Sequence, residues 1–485
     1  MPSFGTSGLR GLVSEMTDAV VFGHVYAFLK YLEEKGEFSR GQTVLVAGDL
    51  RPSTPGILEA VWVAVEEAGG KPDFAGHIPS PALALAGFHA GVPSLMVTGS
   101  HIPFDRNGIK FNRPRSELAK PDEMGILDRL PTMEPRLFRG DGFLWQRPVL
   151  PDPASCYLDR YRRRYLDFFG TGLLDGWRVG VYQHSGVARD LMVDLLREMG
   201  AEAVPLGRSE EFVPMDTEAL RPEDRELAWT WVQDHRLDAL VSTDGDADRP
   251  MLADETGKWW RGDVLGLVTA RLLGAGTVAT PVSSSSALER SGLFPHIFRT
   301  RIGSPYVIAA MEEAAAGGRE PIAGFEANGG FLLGSALEQS GRYLEPLPTR
   351  DAMLPLLAAL AAASRTGGVL SSLLEDLPAR FTASDRLRDF PLETSRVCLA
   401  RYLDPVRGRK SFAEDFGPLC QEVRCMDLTD GIRVTTEREE IIHLRPSGNA
   451  PELRCYTESE NQERAELLLA VSLSVMEQWR SAADA

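Results

Sequence analysis

The 485-residue chain is short of cysteine, of long apolar runs and of positive charge, and each shortage removes a class of protein. The five cysteines (Cys156, Cys398, Cys420, Cys425 and Cys455) form no C-x-x-C pair. An odd, scattered set does not make a disulfide framework and predicts a reduced, cytoplasmic protein. No apolar stretch approaches the roughly 18–20 residues that cross a bilayer, and the longest, MLPLLAALAAA (353–363), reads as a core helix. The opening MPSFGTSGLRG lacks the basic-then-apolar pattern of a secretion signal, so a soluble protein without a membrane partner is expected. Lys and Arg number 52 against 69 Asp and Glu, a net charge of −17. That balance argues against a nucleic-acid partner, which needs a basic stripe. It also requires any anionic ligand to be held by local cations against the overall field.

What is present is an ordinary globular composition, 43% hydrophobic and 25% charged, in a chain too long for a single core. Three stretches share one pattern: a β-rich run, a Gly- or Ser-rich turn, then a helix. TVLVAGD (43–49) leads through RPSTPG to ILEAVWVAVEEAGG (57–70), where Ile57, Leu58, Val61, Val65 and Ala68 share one face. RVGVYQ (178–183) leads to RDLMVDLLREMG (189–200), with Leu191, Met192, Leu195, Leu196 and Met199 as the stripe. GTVATPV (276–282) leads to SSSSALERSG (283–292), a weaker copy.

Each unit then reaches a second apolar run that ends in a polar loop: SLMVTGSHIP (94–103), ALVSTDGDADR (239–249) and PIAGFEANGG (321–330). Val44 to Ser100, Val179 to Asp244 and Val278 to Glu326 are separated by 56, 65 and 48 residues. Strands alternating with amphipathic helices predict an α/β fold with parallel sheets, whose ligands gather at the carboxyl ends of the strands. Three related units therefore point three loops at one cleft. The C-terminal part differs. Short β-like runs at 422–428, 431–437, 440–446 and 452–458 precede a helix near 460–480, an α+β pattern with a hairpin turn at Asp430-Gly431. Domains are expected at 1–152, 153–257, 258–368 and 369–485.

In TGSHIPFDRNGIKF (98–111), Ser100 follows an apolar strand and a glycine, which predicts an accessible hydroxyl. His101 is adjacent, and Lys110 follows an Asn-Gly turn that folds it back. Serine beside His and Lys suits nucleophilic catalysis or a phosphorylated serine held by cations, although an ordinary turn serine has the same local look. A hydrolase elbow is excluded because Ile102 stands where that motif needs glycine.

DGDADR (244–249) sets Asp244, Asp246 and Asp248 at i, i+2 and i+4, so that three carboxylates converge on a hard cation. An EF-hand is disfavoured: its sixth position, which must be glycine, is Arg249, and an apolar strand rather than a helix precedes it. Few carboxylates with room for water and phosphate oxygens favour Mg²⁺. Arg249 suits a phosphoryl oxygen. In GFEANGG (324–330), Glu326 and Asn328 face the same way if the loop is extended, a pairing suited to sugar hydroxyls, while close-packed glycines such as Gly329 equally describe a bare turn. RPSGNAPELR (445–454) surrounds Ser447, Gly448 and Asn449 with Arg445 and Arg454, an anion nest or an incidental basic turn.

A nucleophile with cationic neighbours, a hard-metal loop, a hydroxyl-binding loop and a phosphate nest are together the parts of phosphoryl transfer to and from a sugar. With FGTSGLRG (4–11) at the start, these motifs and their order resemble the α-D-phosphohexomutase family, which includes phosphoglucomutases, phosphomannomutases and phosphoglucosamine mutases. The resemblance covers nearly the whole chain. It implies a heart-shaped enzyme of four domains, three of similar mixed α/β topology and a C-terminal α+β domain, in monomeric or dimeric form. It implies that Ser100 carries a phosphoryl group which passes to a hexose phosphate, giving a sugar 1,6-bisphosphate as intermediate and activator.

By the same resemblance, Mg²⁺ is held by Asp244, Asp246, Asp248 and the phosphorylated Ser100. Arg10, His101, Lys110 and Arg249 surround the transferred group, with Lys110 as general acid or base. Glu326, Asn328 and Gly329 meet the sugar, and Arg445, Ser447, Gly448, Asn449 and Arg454 meet the phosphate that is not transferred. The chain departs from the family pattern in three places: TGSHIP for TASHNP, Asn449 for threonine, and Glu-Ala-Asn-Gly for Glu-x-Ser-Gly. The last bears on sugar choice, for which mannose and glucose phosphates are expected and glucosamine phosphate is the alternative. A non-catalytic phosphosugar-binding protein is a second alternative.

Overall fold

The computed structural model describes residues 2–5, 8–131, 136–404, 406–417, 422–447 and 451–483. The first sheet comprises β1 (Ser3–Phe4), β2 (Leu9–Leu12), β3 (Thr43–Gly48), β4 (Lys71–Gly76), β5 (Ser94–Val97) and β6 (Arg106–Asn112), in the order β1-β2-β6-β5-β3-β4. The second comprises β7 (Arg178–His184), β8 (Glu202–Arg208), β9 (Ala239–Thr243) and β10 (Pro250–Ala253), in the order β10-β9-β7-β8. The third holds β11 (Thr277–Pro281), β12 (His296–Thr300), β13 (Ile322–Phe325) and β14 (Phe331–Leu333). After a small hairpin of β15 (Leu337–Gln339) and β16 (Arg342–Leu344), β17 (Leu347–Asp351) returns to that sheet's edge, giving the order β12-β11-β13-β14-β17.

One four-strand plan underlies all three. The first strand of each unit pairs in parallel with the second and the third, and the fourth runs antiparallel beside the third. The polar loops found in the sequence each connect the third strand to the fourth. They leave the carboxyl ends of β5, β9 and β13, the position where α/β sheets bind ligands.

The helices follow from the apolar stripes. Thr54–Glu67 buries Ile57, Leu58, Val61 and Val65, and it starts ahead of the stripe because Pro55 is tolerated in the first turn. Arg189–Glu198 buries Leu191, Met192, Leu195 and Leu196. The weak third copy yields only Ala287–Arg290. Met353–Thr366 is buried on almost every side, as a core helix should be, and ends at Gly367, whose φ of 64° is the left-handed stop that glycine permits.

The C-terminal sheet is β18 (Phe381–Arg388), β19 (Val423–Asp427), β20 (Ile432–Thr436), β21 (Ile441–Pro446) and β22 (Glu452–Ser459), in the order β18-β22-β21-β20-β19 and antiparallel throughout. Helix Gln462–Ala483 packs on it, and Asp430-Gly431 closes the turn into β20 with Gly431 at φ 81°. Strand β18 and the helices Leu392–Ala400 and Arg407–Asp415 were not foreseen. Most of β18 is solvent-facing edge, so FTASDRLR carries no apolar alternation. Among the described residues no helix is long and apolar enough to cross a membrane.

One polar staple joins the second and third units. The Tyr161 hydroxyl, on the helix Cys156–Phe169, donates to Asp351 Oδ1 at 2.5 Å, and the Tyr165 hydroxyl donates to Oδ2. All three residues are buried, and burial pushes the Asp351 carboxyl up and both phenols well above their usual range. Asp351→Ala strands two buried hydroxyls and should cost roughly 2–4 kcal/mol in urea unfolding. Asp351→Asn, which keeps an acceptor oxygen, should lose less.

Candidate active site

Asp244 opens the loop after β9 and buries its carboxylate completely. Its Oδ1 accepts the backbone N–H groups of Asp248 at 3.1 Å and Arg249 at 3.2 Å, which curls the loop so that Asp244, Asp246 and Asp248 converge. One oxygen from each lies within 4.8 Å of the others. Three buried like charges repel, and burial followed by repulsion from Asp246 and Asp248 raises the Asp244 carboxyl well above its ordinary value. Burial also pushes Asp248 upward, but Arg350, Lys110 and Arg249 outweigh it and leave that carboxyl far below its ordinary value.

The first unit brings its loop onto this triad. The Ser100 hydroxyl donates to Asp244 Oδ2 at 2.6 Å, and His101 Nδ1 lies 3.3 Å from the same hydroxyl. Ser100 is 1% exposed, not openly accessible as its neighbours in sequence suggest. The second unit covers it: a Cβ on Gly245 would stand 2.9 Å from the Ser100 carbonyl. Ser100 also holds φ at 54°, a left-handed conformation costly for serine, fixed by its N–H donating to Thr98 Oγ1 at 2.8 Å.

Lys110 is not folded back by a turn. Asn107-Gly108 is not a turn: β6 runs straight through it, paired with β2 on one side and β5 on the other. Glycine is required at 108 by closeness, since a Cβ would lie 2.4 Å from the Leu9 carbonyl oxygen. Lys110 reaches the site from mid-strand, with Nζ 2.5 Å from Asp246 Oδ2 and also on Asp248. Burial works against its charge, but Asp246 and Asp248 hold it protonated.

Arg10 on β2 lies opposite Gly108; burial, then Arg249 and Arg350, lower its guanidinium to about 10. Arg249 Nε lies 3.7 Å from Asp248 Oδ1 and 4.0 Å from Asp244 Oδ2, without a hydrogen bond to either. Burial, then Arg249 and Arg10, hold the His101 imidazole well below its ordinary value and hence neutral.

In the third loop, Glu326 and Asn328 do not extend in parallel. The chain turns, with Gly329 N–H donating to the Glu326 carbonyl at 2.9 Å and Gly329 at φ 89°. Asn328 Oδ1 accepts from Gly330 N–H, and Glu326 Oε2 accepts from Arg350 Nη1 at 2.9 Å. At the C-terminal unit, Arg445 and Arg454 are cross-strand partners. Arg445 Nε is 2.8 Å from Asp430, Arg454 Nη2 is 3.4 Å from Glu452, and Ser447 N–H donates to the Glu452 carbonyl. Gly448 and Asn449 lie outside the described residues.

Several residues that organise the site were not singled out from the sequence. Arg350, at the end of β17, joins the second and third loops: Nη2 is 2.7 Å from Asp248 Oδ2 while Nη1 holds Glu326. Ser80 starts the helix Ser80–Ala90 and gives its N–H to the Asp246 carbonyl and its hydroxyl to the Asp246 carboxylate. Arg51, buried just past β3, spends five donor contacts on the serine loop and its anchor. It reaches the carbonyls of Ser100 (2.9 Å), Ile102 (2.6 Å), Pro103 (2.7 Å) and Arg106 (3.0 Å), and Asp49 Oδ2 (3.1 Å). The Phe212 ring, from the second unit, stacks on its guanidinium at 4.0 Å. Only the place of Asp49 and Arg51 at the carboxyl end of a strand hinted at a role.

Four family models match in succession: phosphoglucomutase/phosphomannomutase alpha/beta/alpha domain I over residues 1–135, domain II over 163–257, domain III over 261–381 and the C-terminal domain over 400–471. The chain belongs to the phosphoglucomutase/phosphomannomutase family. It is 44% identical to a phosphomannomutase of Salmonella muenchen over 96% of this chain and 93% of the relative. It is 43% identical to a phosphomannomutase of Sinorhizobium fredii over 98% of each. A phosphoglucosamine mutase of Solibacter usitatus is more distant, at 30% over 77% of this chain and 81% of the relative. Among solved structures, a phosphoglucomutase/phosphomannomutase family protein from Burkholderia thailandensis superposes with a TM-score of 0.72 at 19% identity, covering 98% of this chain and 97% of that one. Membership makes the protein a phosphotransferase of the mutase type.

In this mutase Arg51 shapes the serine loop through a planar fork that lysine cannot reproduce. Arg51→Lys should therefore lower kcat at least about tenfold while the sugar-phosphate KM moves much less, since loop geometry rather than ground-state binding is lost. An unchanged kcat in a folded variant would show that the loop holds itself.

Proposed function

We propose that the enzyme interconverts hexose 1-phosphate and hexose 6-phosphate, with mannose and/or glucose as the sugar, through a phosphorylated Ser100 and a sugar 1,6-bisphosphate. The observation that supports this most is the seating of the Ser100 hydroxyl, 2.6 Å from Asp244, on the carboxylate triad against which the cations Lys110 and Arg249 also lie. A serine so placed exchanges a phosphoryl group among cations instead of passing it to water.

The donor set fits Mg²⁺. Among the described residues Asp246 Oδ1 and Asp248 Oδ1 are buried without a hydrogen-bond partner, all three carboxylates present an oxygen to one small volume, and hard oxygen donors select hard cations. Asp244, Asp246, Asp248 and the phosphorylated Ser100 would hold the ion, which supplies charge neutralisation at phosphoryl oxygens. Arg10 and Arg249 bind those oxygens as the charge develops. Lys110, protonated at Nζ on the triad, gives its proton to the sugar oxygen that loses phosphate and, once neutral, takes one from the sugar oxygen that gains phosphate. His101, neutral, contributes a hydrogen bond to the serine oxygen and no charge. Glu326, Asn328 and Gly329 border the sugar. Arg445, Ser447 and Arg454, with Gly448 and Asn449, take the phosphate at the other end, so that a bisphosphate turned end for end meets the same two anchors.

The preference for mannose and glucose over glucosamine draws on the relatives, phosphomannomutases at 43–44% identity against a phosphoglucosamine mutase at 30%. The four free cysteines among the described residues suit the reducing cytoplasm. Assays on the 1-phosphates of mannose, glucose and glucosamine, with Mg²⁺ and then with chelator, test the reading. Turnover should require the ion and be greatest on mannose or glucose. Asp246→Ala should reduce it at least about a hundredfold. Full turnover in that variant, or turnover confined to glucosamine 1-phosphate, would overturn the assignment.

A further inference from the structure

Between the second, third and C-terminal units lies a polar cavity of about 60 Å³, bordered by Glu218, Arg261, Ser283, Ala327 and His443. Ala327 belongs to the sugar loop, so that loop forms part of the cavity wall. Glu218 lies on the segment between β8 and the helix Pro222–His235, outside every motif named above. That segment is fastened to the sugar loop, because Thr217 Oγ1 donates to the Asn328 carbonyl at 3.0 Å. The Glu218 N–H donates to Asp216 Oδ1 at 3.1 Å and fixes the local turn.

The Glu218 carboxylate itself accepts no hydrogen bond among the described residues. Its nearest cation, Arg249 Nη1, is 4.0 Å away, beyond hydrogen-bond reach, and 39% of its side chain is open to solvent. Besides Asp216 in its own turn, the charged groups that act on it are Arg249 on the metal loop, Glu326 on the sugar loop and Arg454 on the C-terminal strands. Glu218 shares a cavity with Ala327 of the sugar loop and lies 4.0 Å from Arg249 of the metal loop, the two loops that a bound hexose phosphate would bridge. Glu326, by contrast, already gives one oxygen to Arg350.

We infer that Glu218 is a specificity-determining residue, a carboxylate that accepts a hydrogen bond from a ring hydroxyl of the hexose phosphate. It adds an uncommitted acceptor beside Glu326, one of whose oxygens is taken by Arg350. Hydroxyls on epimeric sugars project differently, so one fixed acceptor discriminates between them, and a site built to pair a hydroxyl penalises a sugar that cannot offer it there. The inference rests on the hexose-phosphate reading given above.

Steady-state kinetics on mannose 1-phosphate and glucose 1-phosphate test it with the wild type, Glu218→Ala and Glu218→Gln. Glu218→Ala should raise KM on the preferred sugar about tenfold, leave kcat within about threefold, and shift the ratio of kcat/KM between the two sugars at least about fivefold. Glu218→Gln, whose amide oxygen still accepts, should recover most of the loss. Unchanged KM and unchanged sugar ratio in Glu218→Ala would overturn the inference alone. So would an equal fall in kcat on both sugars, which marks Glu218 as a mere charge partner of Arg249. A wild type inactive on both sugars would overturn the parent reading and this one together. Thermal melting of each variant confirms that a folded protein is being compared.

Discussion

Three buried carboxylates at one point are the constraint around which the rest of the molecule is arranged. Asp244, Asp246 and Asp248 cannot all be charged in a low-dielectric interior without cations close by. The chain supplies Lys110 from the first unit, Arg249 beside the triad and Arg350 from the third. The Lys110 and Arg350 pairings cross unit boundaries, so the electrostatic demand of one loop draws three sheets together.

The repeated sheet makes that convergence possible. Each α/β unit sends out its loop between the third and fourth strands, so a single plan used three times delivers a serine, a carboxylate triad and a Glu-Asn turn to one cleft. Divergence lies in the loops and constancy in the strands beneath them. Around this core a second set of contacts holds the loops in shape: Arg51 gathers four carbonyls of the serine loop, and Ser80 binds Asp246 through both backbone and hydroxyl. The Phe212 ring on Arg51 ties the serine loop to the second unit as well.

The α/β class, the threefold plan and the aspartate loop were legible because each is written in contiguous residues: apolar stripes of helical period, and DGDADR in a single run. Four things were not. Asn107-Gly108 has the local signature of a hairpin turn, but ladders on both flanks overrode it, and the glycine answers to crowding by Leu9. The Ser100 hydroxyl, expected in the open, is buried because the second unit closes over it, a contact that no local pattern encodes. Glu326 and Asn328 were expected to face one way, but the loop turns at Gly329. Arg350 and Glu218 had no signal at all, since each is an ordinary charged residue until tertiary structure gives it neighbours.

The most direct measurement is the phosphorylation state of Ser100 itself. Intact-mass analysis with phosphopeptide mapping, after incubation with glucose 1,6-bisphosphate or mannose 1,6-bisphosphate, should find one phosphoryl group per chain, on Ser100. It should find none in Ser100→Ala, which should be inactive. Stoichiometric phosphate at any other residue, or full activity in Ser100→Ala, would contradict the account.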